Sequence, residues 1–336
     1  MKIIESNIMN INPFYEAGAE FLQGRRVLVT GGTGSLGEAV LRRAENAGWD
    51  VEFVVFSRGE AKQSEMKRRF PRHRYVLGDV SRLEDLERAI KGVDVIFHFA
   101  AYKQVPAAQV NVSTAFTTNI IGSQNVARIA VQHDVEHVVA SSTDKASAPI
   151  NAYGVSKAAM EHLFQEANAW GDTSFTIARY GNVIGSTGSV IPLFIRLMKE
   201  KKPITITCRE MTRFWITLDQ AVDLIVASLM SADGTVLVPK APAMSMETLA
   251  KGFADLAGTE VQDIGIRPGE KIHESMVHQA ESIHTIEYED FFHIFSPTLV
   301  KKGEENSALF EYTSDKPKVT WKWEDMYKVL VAGGLL

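Results

Sequence analysis

The chain has 336 residues, 45% of them hydrophobic, which is enough to bury one large α/β core or two unequal lobes. Its formal charge of -5 argues against a nucleic-acid binder. A single cysteine, Cys208, excludes an intrachain disulfide framework and a multi-thiolate metal site, and fits a reducing, cytoplasmic setting.

Residues 1–24 mix Glu5, Asn7, Asn10, Glu16 and Glu20 with apolar residues and lack the apolar centre of a signal peptide. They read as a leader, either packed on the main body or mobile. No apolar run in the chain reaches the roughly 18–20 residues of a membrane span. From residue 26 strand-like and helix-like segments alternate. Strands are expected at 26–30, 51–56, 74–77, 93–97, 135–140 and 175–178, and helices at 36–47, 61–70, 83–90, 113–133 and 152–169. This alternation predicts a parallel sheet with helices on both faces. Beyond residue 180 Gly and Pro become frequent, as expected of a smaller lobe closing a pocket over the sheet's carboxyl edge. Residues 219–231 are expected to return to the main domain.

Gly31, Gly34 and Gly37 fall directly after the first strand and open the first helix, with Thr33, Ser35 and Leu36 between them. Glycine permits a tight turn and close approach of backbone to a pyrophosphate, and the helix N-terminus offers free N–H groups to the anion. An NAD site usually has Asp or Glu at the tip of the second strand. Here Ser57 and Arg58 stand there, with Lys62 one turn on, so a 2′-phosphate and hence NADP is favoured. The alternative for these cations is a solvated basic face, the better reading for Lys67, Arg68 and Arg69. Asp79, beside Val80, is a candidate acceptor for the adenine amine or a helix N-cap. His98 reads as a hydrogen-bonded core histidine, followed by Phe99, Ala100 and Ala101, which leave room for a cofactor.

Thr143, Asp144 and Lys145 end the fifth strand, and Tyr153 and Lys157 open the next helix four residues apart, on one face. A tyrosine titrates near pH 10, and a nearby ammonium favours its phenolate. Tyr153, Lys157 and Thr143 together suit removal of a hydroxyl proton as hydride leaves the same carbon. For Asp144 and Lys145 the competing reading is a surface ion pair at a turn. His273 and His278 are five apart, poor spacing for a shared metal, and no metal is expected.

The stretches 30–37, 57–66, 102–107, 118–122, 142–157, 179–192, 211–217 and 265–274 resemble the extended short-chain dehydrogenase/reductases, and more specifically UDP-N-acetylglucosamine 4,6-dehydratases. The resemblance implies a Rossmann-type doubly wound parallel sheet over residues 25–180 that binds NADP. It makes 181–336 mainly a substrate-binding lobe, with some segments returning to the main domain. It adds Lys103, Thr118 and Asn119 to the cofactor contacts, alongside Tyr153 and Lys157. Lys103 would also meet the sugar, and Asn182, Val183, Gly188 and Ser189 the diphosphate. Arg213 and Arg267 would reach phosphate or uracil unless they serve as surface ion pairs. Tyr153 would take the C4 hydroxyl proton, Lys145 the C5 proton, and Asp144 would protonate the leaving C6 hydroxyl. One branch of the family has methionine where Tyr153 stands and retains configuration at C5; the tyrosine places this chain with the inverting branch. A homo-oligomer is implied as well. The competing functions are a nucleotide-sugar 4-epimerase, which needs no Asp144–Lys145 pair, and a catalytically silent dinucleotide sensor.

Overall fold

The computed structural model describes residues 12–297 and 308–336. Six parallel strands form the body of the central sheet: β1 (Arg25–Thr30), β2 (Val51–Ser57), β3 (Arg74–Leu77), β4 (Val95–His98), β5 (His137–Thr143) and β6 (Ser174–Tyr180). They lie in the order β3-β2-β1-β4-β5-β6, so the direction of winding reverses between β1 and β4. In such sheets a crevice opens at the carboxyl ends of the strands flanking the reversal. The strands read as nearly continuous apolar runs because helices cover both faces. One core layer packs Leu28, Ile96, Val138 and Phe164, and the other Val27, Phe53, Val139 and Leu224.

The chain returns to the sheet after residue 180. Val236–Pro239 pairs parallel with β6, and Phe291–Ile294 and Thr285–Glu287 extend that edge antiparallel. The helix Leu218–Ser228 also belongs to the main body, capped by Thr217 and Gln220 in a reciprocal box. Against it lies the helix Asn12–Phe21 from the leader, so close that a Cβ on Gly18 would strike the backbone oxygen of Val226. Residues 1–11 lie outside the described residues. A third core, around Phe194, Trp215 and Phe253, sits in the smaller lobe.

The long helix expected over 113–133 is interrupted. It runs as Val112–Phe116, a π turn at Thr117–Ile121, and Gly122–Gln132. The wider turn accompanies a bridge across the fold: buried Asn119 accepts from Tyr102 N–H at 2.7 Å and donates to Ser156 Oγ at 2.8 Å. Among the described residues no helix is long and apolar enough to cross a membrane.

Candidate active site

A cleft of about 820 Å³ opens along the carboxyl ends of β1, β2, β4, β5 and β6. At one end the helix Ser35–Ala47 starts behind Gly34 with no side chain capping it, so its first N–H groups point into the cleft. Gly31 adopts a positive φ of 65°, and a Cβ there would lie 2.7 Å from Ala100 N. A Cβ on Gly37 would run into the carbonyl of Gly32. The loop is thus a backbone cradle of the shape and polarity that a pyrophosphate fits.

Beside it, Gln63 donates to Ser57 Oγ at 3.0 Å and to Val76 O at 2.9 Å, pinning the tips of β2 and β3 together. Arg58 projects to solvent with one guanidinium nitrogen 3.5 Å from Asp79. Asp79 accepts from both the backbone and the hydroxyl of Ser81; the following helix is capped at Arg82, so Asp79 is not its N-cap. Lys62 and Lys103 face the same cleft, and burial followed by the charge of Lys62 lowers the Lys103 ammonium below its usual range. His98 is engaged at both ring nitrogens, by Thr30 and Ser123, and burial holds it neutral, pushed down to about 3.

At the other end β5 stops at Thr143, whose hydroxyl caps the short turn Asp144–Ala146 and donates to Asp144 Oδ1 at 3.0 Å. Lys145 Nζ donates to the same oxygen at 3.0 Å and lies 3.3 Å from Glu274 Oε1. Asp144 is 0% exposed and Glu274 2%. Asp144 Oδ2 and Glu274 Oε2 have no hydrogen-bond partner among the described residues. This is no surface ion pair. Burial raises the Asp144 carboxyl above its ordinary range, so it favours the protonated form. Burial also penalises the Lys145 ammonium, but Asp144 and Glu274 outweigh that penalty and hold it above its usual value.

Tyr153 is hydrogen-bonded to Thr143, and burial pushes its phenol up to about 12 against the opposing pull of Lys145. The expected ammonium at Lys157 points elsewhere. It donates to Ser141 O at 2.6 Å, and burial lowers it to about 8. The cation favouring a phenolate at Tyr153 is therefore Lys145. Beneath this group, buried Arg179 donates to Glu161 at 3.1 Å, Glu281 at 3.0 Å and Met276 O at 2.9 Å. It ties the helix carrying Tyr153 to the segment carrying Glu274.

Of the residues expected from sequence, Asn182, Val183, Gly188, Ser189, Arg267, Val80, Phe99, Ala101 and Thr118 also line the cleft. Arg213 does not reach it. Its guanidinium is spent on the carbonyls of Thr212, Ile272 and Lys271, with Glu274 at 3.9 Å. Asn119 lies beneath the wall, in the bridge described above. His273 and His278 serve separate partners, Thr212 and Ala280 N, and no cluster of three or more His, Cys, Asp or Glu able to hold a metal occurs among the described residues. Glu274 and Gln63 were assigned no role from sequence. Glu274 closes the 265–274 stretch, but only the fold sets it beside Lys145.

Residues 27–296 match the family described as polysaccharide biosynthesis protein. A UDP-glucose 4-epimerase of Rickettsia conorii is 40% identical over 88% of this chain and 92% of its own. A UDP-N-acetylglucosamine 4,6-dehydratase (inverting) of Campylobacter jejuni is 37% identical over 87% of this chain and 93% of its own. The crystal structure of Pen from Bacillus thuringiensis superposes with a TM-score of 0.86 at 33% identity, covering 94% of this chain and 100% of that one. The chain belongs to this polysaccharide-biosynthesis family of extended short-chain dehydrogenase/reductases, whose relatives are named as nucleotide-sugar 4,6-dehydratases and 4-epimerases.

Proposed function

We propose that the protein is an NADP-dependent UDP-N-acetylglucosamine 4,6-dehydratase that inverts C5. The observation carrying this reading is the buried Asp144–Lys145–Glu274 cluster joined to Tyr153 through Thr143. A 4-epimerase removes and returns hydrogen at C4 alone and has no use for an acid–base pair beside it. Burying a carboxylate and an ammonium costs several kcal/mol per ion before pairing. The 40% identity to proteins named as epimerases keeps that activity as the second reading.

The cradle of Gly31, Gly34 and Gly37 would hold the dinucleotide pyrophosphate, and Ser57, Arg58 and Lys62 a 2′-phosphate. Bound there, an oxidised nicotinamide would supply a positive ring and a reversible hydride acceptor, so that the C4 hydride can end at C6 with no net oxidation. Tyr153 takes the C4 hydroxyl proton, oriented by Thr143. The new ketone acidifies the hydrogen on C5. Lys145, as the neutral amine, removes that proton, and protonated Asp144 gives its own to the C6 oxygen, which leaves as water. Tyr153 then returns its proton to C5 on the other face. Lys145 passes its surplus proton to Asp144 across 3.0 Å, and both groups are restored. The single cysteine fits work in the cytoplasm, where nucleotide-sugars are made.

The test is incubation with UDP-N-acetylglucosamine and NADP in deuterated water, followed by mass spectrometry and NMR. A product lighter by one water, with deuterium at an inverted C5, is expected. A product of equal mass epimerised at C4 refutes the dehydratase in favour of the epimerase, and no turnover of any nucleotide-sugar favours a silent dinucleotide sensor.

A further inference from the structure

The proposed chemistry needs Lys145 as a neutral amine, yet the fold surrounds it with two carboxylates. The groups facing its Nζ are Asp144 at 3.0 Å from its own turn and Glu274 at 3.3 Å from the smaller lobe. Tyr153 and Arg213 also act on it, the first from the adjoining helix and the second from the strand Thr212–Ile216. Lys271, another nearby cation, is engaged by Ser147 O at 2.7 Å. Asp144 cannot both receive the proton of Lys145 and hold the one destined for the leaving hydroxyl, so a second acceptor is required. Glu274 is in contact, is 2% exposed, and keeps Oε2 free of any hydrogen-bond partner among the described residues. Its backbone is locked by reciprocal bonds with Ser314, at 2.9 Å and 2.8 Å, so the carboxyl is held toward Lys145.

We propose that Glu274 acts through Lys145, as the base that takes a proton from its ammonium and returns it each turnover. The inference rests on the dehydratase reading. In the resting cluster Asp144 is protonated, Lys145 is an ammonium and Glu274 is ionised. An N–H bond of Lys145 breaks and an O–H bond forms on Glu274, leaving a neutral amine between two carboxylic acids. No charge remains on the three groups, which is the state favoured when substrate fills the cleft and excludes water. Lys145 then takes the C5 proton as Asp144 gives its proton to the departing water. The cluster still holds two exchangeable protons. The Glu274 proton returns to Lys145 as Lys145 passes one on to Asp144, and the cycle closes without a proton from solvent. The environments match the resting state, since burial raises the Asp144 carboxyl, while for Glu274 the neighbouring Lys145, Arg213 and Lys271 outweigh burial and lower it.

The test is the pH profile of kcat for Glu274→Gln, with Glu274→Asp beside it. Glutamine keeps the shape but cannot hold the proton, so its active cluster carries one proton fewer. At neutral pH kcat is expected to fall about 100-fold, then recover by about tenfold per pH unit as pH rises, moving the optimum to higher pH. Transient appearance of reduced nicotinamide persists, because C4 oxidation does not use Glu274. Glu274→Asp is expected to lower kcat while leaving the optimum in place. A Gln variant with wild-type kcat, or with reduced kcat and an unmoved optimum, overturns the inference. If the Gln variant does not fold, an optimum displaced in the Asp variant overturns it. Wild-type protein that releases no water from any nucleotide-sugar refutes the dehydratase reading itself, and the inference falls with it.

Discussion

Replacing Lys145 by methionine removes the charge while keeping most of the side-chain volume, and two effects of different origin follow. The chemical one is loss of the group proposed to take the C5 proton. A positioned acid or base contributes about 10²- to 10⁴-fold, equivalent to about 2.7–5.4 kcal/mol of barrier at 1.36 kcal/mol per decade. The structural one follows from Asp144 and Glu274, 0% and 2% exposed, losing their shared cation. Breaking a buried pair costs about 3–5 kcal/mol. With Asp144 protonated at rest, the loss falls mainly on ionised Glu274, left with Arg213 at 3.9 Å. Without Lys145 the Glu274 carboxyl, held low in the wild type, rises under burial above its unfolded value. Its stabilising contribution is then complete at pH below the ordinary carboxylate range and is lost as pH rises through the folded value. The variant's thermal midpoint should therefore approach that of the wild type in acid and fall behind it near neutrality. Turnover is followed as the water-loss product by mass spectrometry, alongside reduced nicotinamide absorbance, which should appear more slowly because Tyr153 loses the cation that favours its phenolate. Water loss within tenfold of wild type would refute the assignment of Lys145 as the base.

Arg58→Ala should weaken NADP binding by about 10- to 100-fold, the scale of a charged hydrogen bond at 1.5–3 kcal/mol, with little change for NAD; equal weakening in paired titrations refutes the 2′-phosphate assignment. Gly37→Ala should abolish dinucleotide binding by calorimetry while the fold persists, because its Cβ would strike the Gly32 carbonyl inside the cradle. Lys157, lowered by burial to about 8, penalises the fold below that pH and relaxes as pH rises from 8 toward its unfolded value. Wild type should therefore gain about 3 kcal/mol relative to Lys157→Met over that window. Chemical denaturation at pH 7 and pH 10 checks it, and a constant difference contradicts it.

The main sheet was legible because its strands are nearly unbroken apolar runs punctuated by glycine, and the cofactor cradle because three glycines follow the first strand. The edge strands Thr285–Glu287 and Phe291–Ile294 were not, since short runs rich in aromatic and polar residues carry no period. Nor was the π turn at Thr117–Ile121, whose apolar spacing matches an uninterrupted helix. The spacing of Tyr153 and Lys157 placed both on one helix face but not the direction of the amine, which the Ser141 carbonyl decides. Arg213 looked free to meet a phosphate because the carbonyls that occupy it lie far along the chain. Glu274 shows the same limit in reverse: an ordinary glutamate in sequence, it gains its meaning from the turn it is folded against.

Arg179 has a consequence for how this sequence can drift. One planar guanidinium grips Glu161 on the tyrosine-bearing helix and Glu281 beyond Glu274, each through two bonds, while a further bond goes to the Met276 backbone. Arg179 and Glu161 are buried and Glu281 is partly exposed, so changing either buried group leaves the other short of a charged partner away from water. Positions 161 and 179 are therefore expected to be inherited as a pair, retained together or exchanged together for apolar residues, across an alignment of related chains.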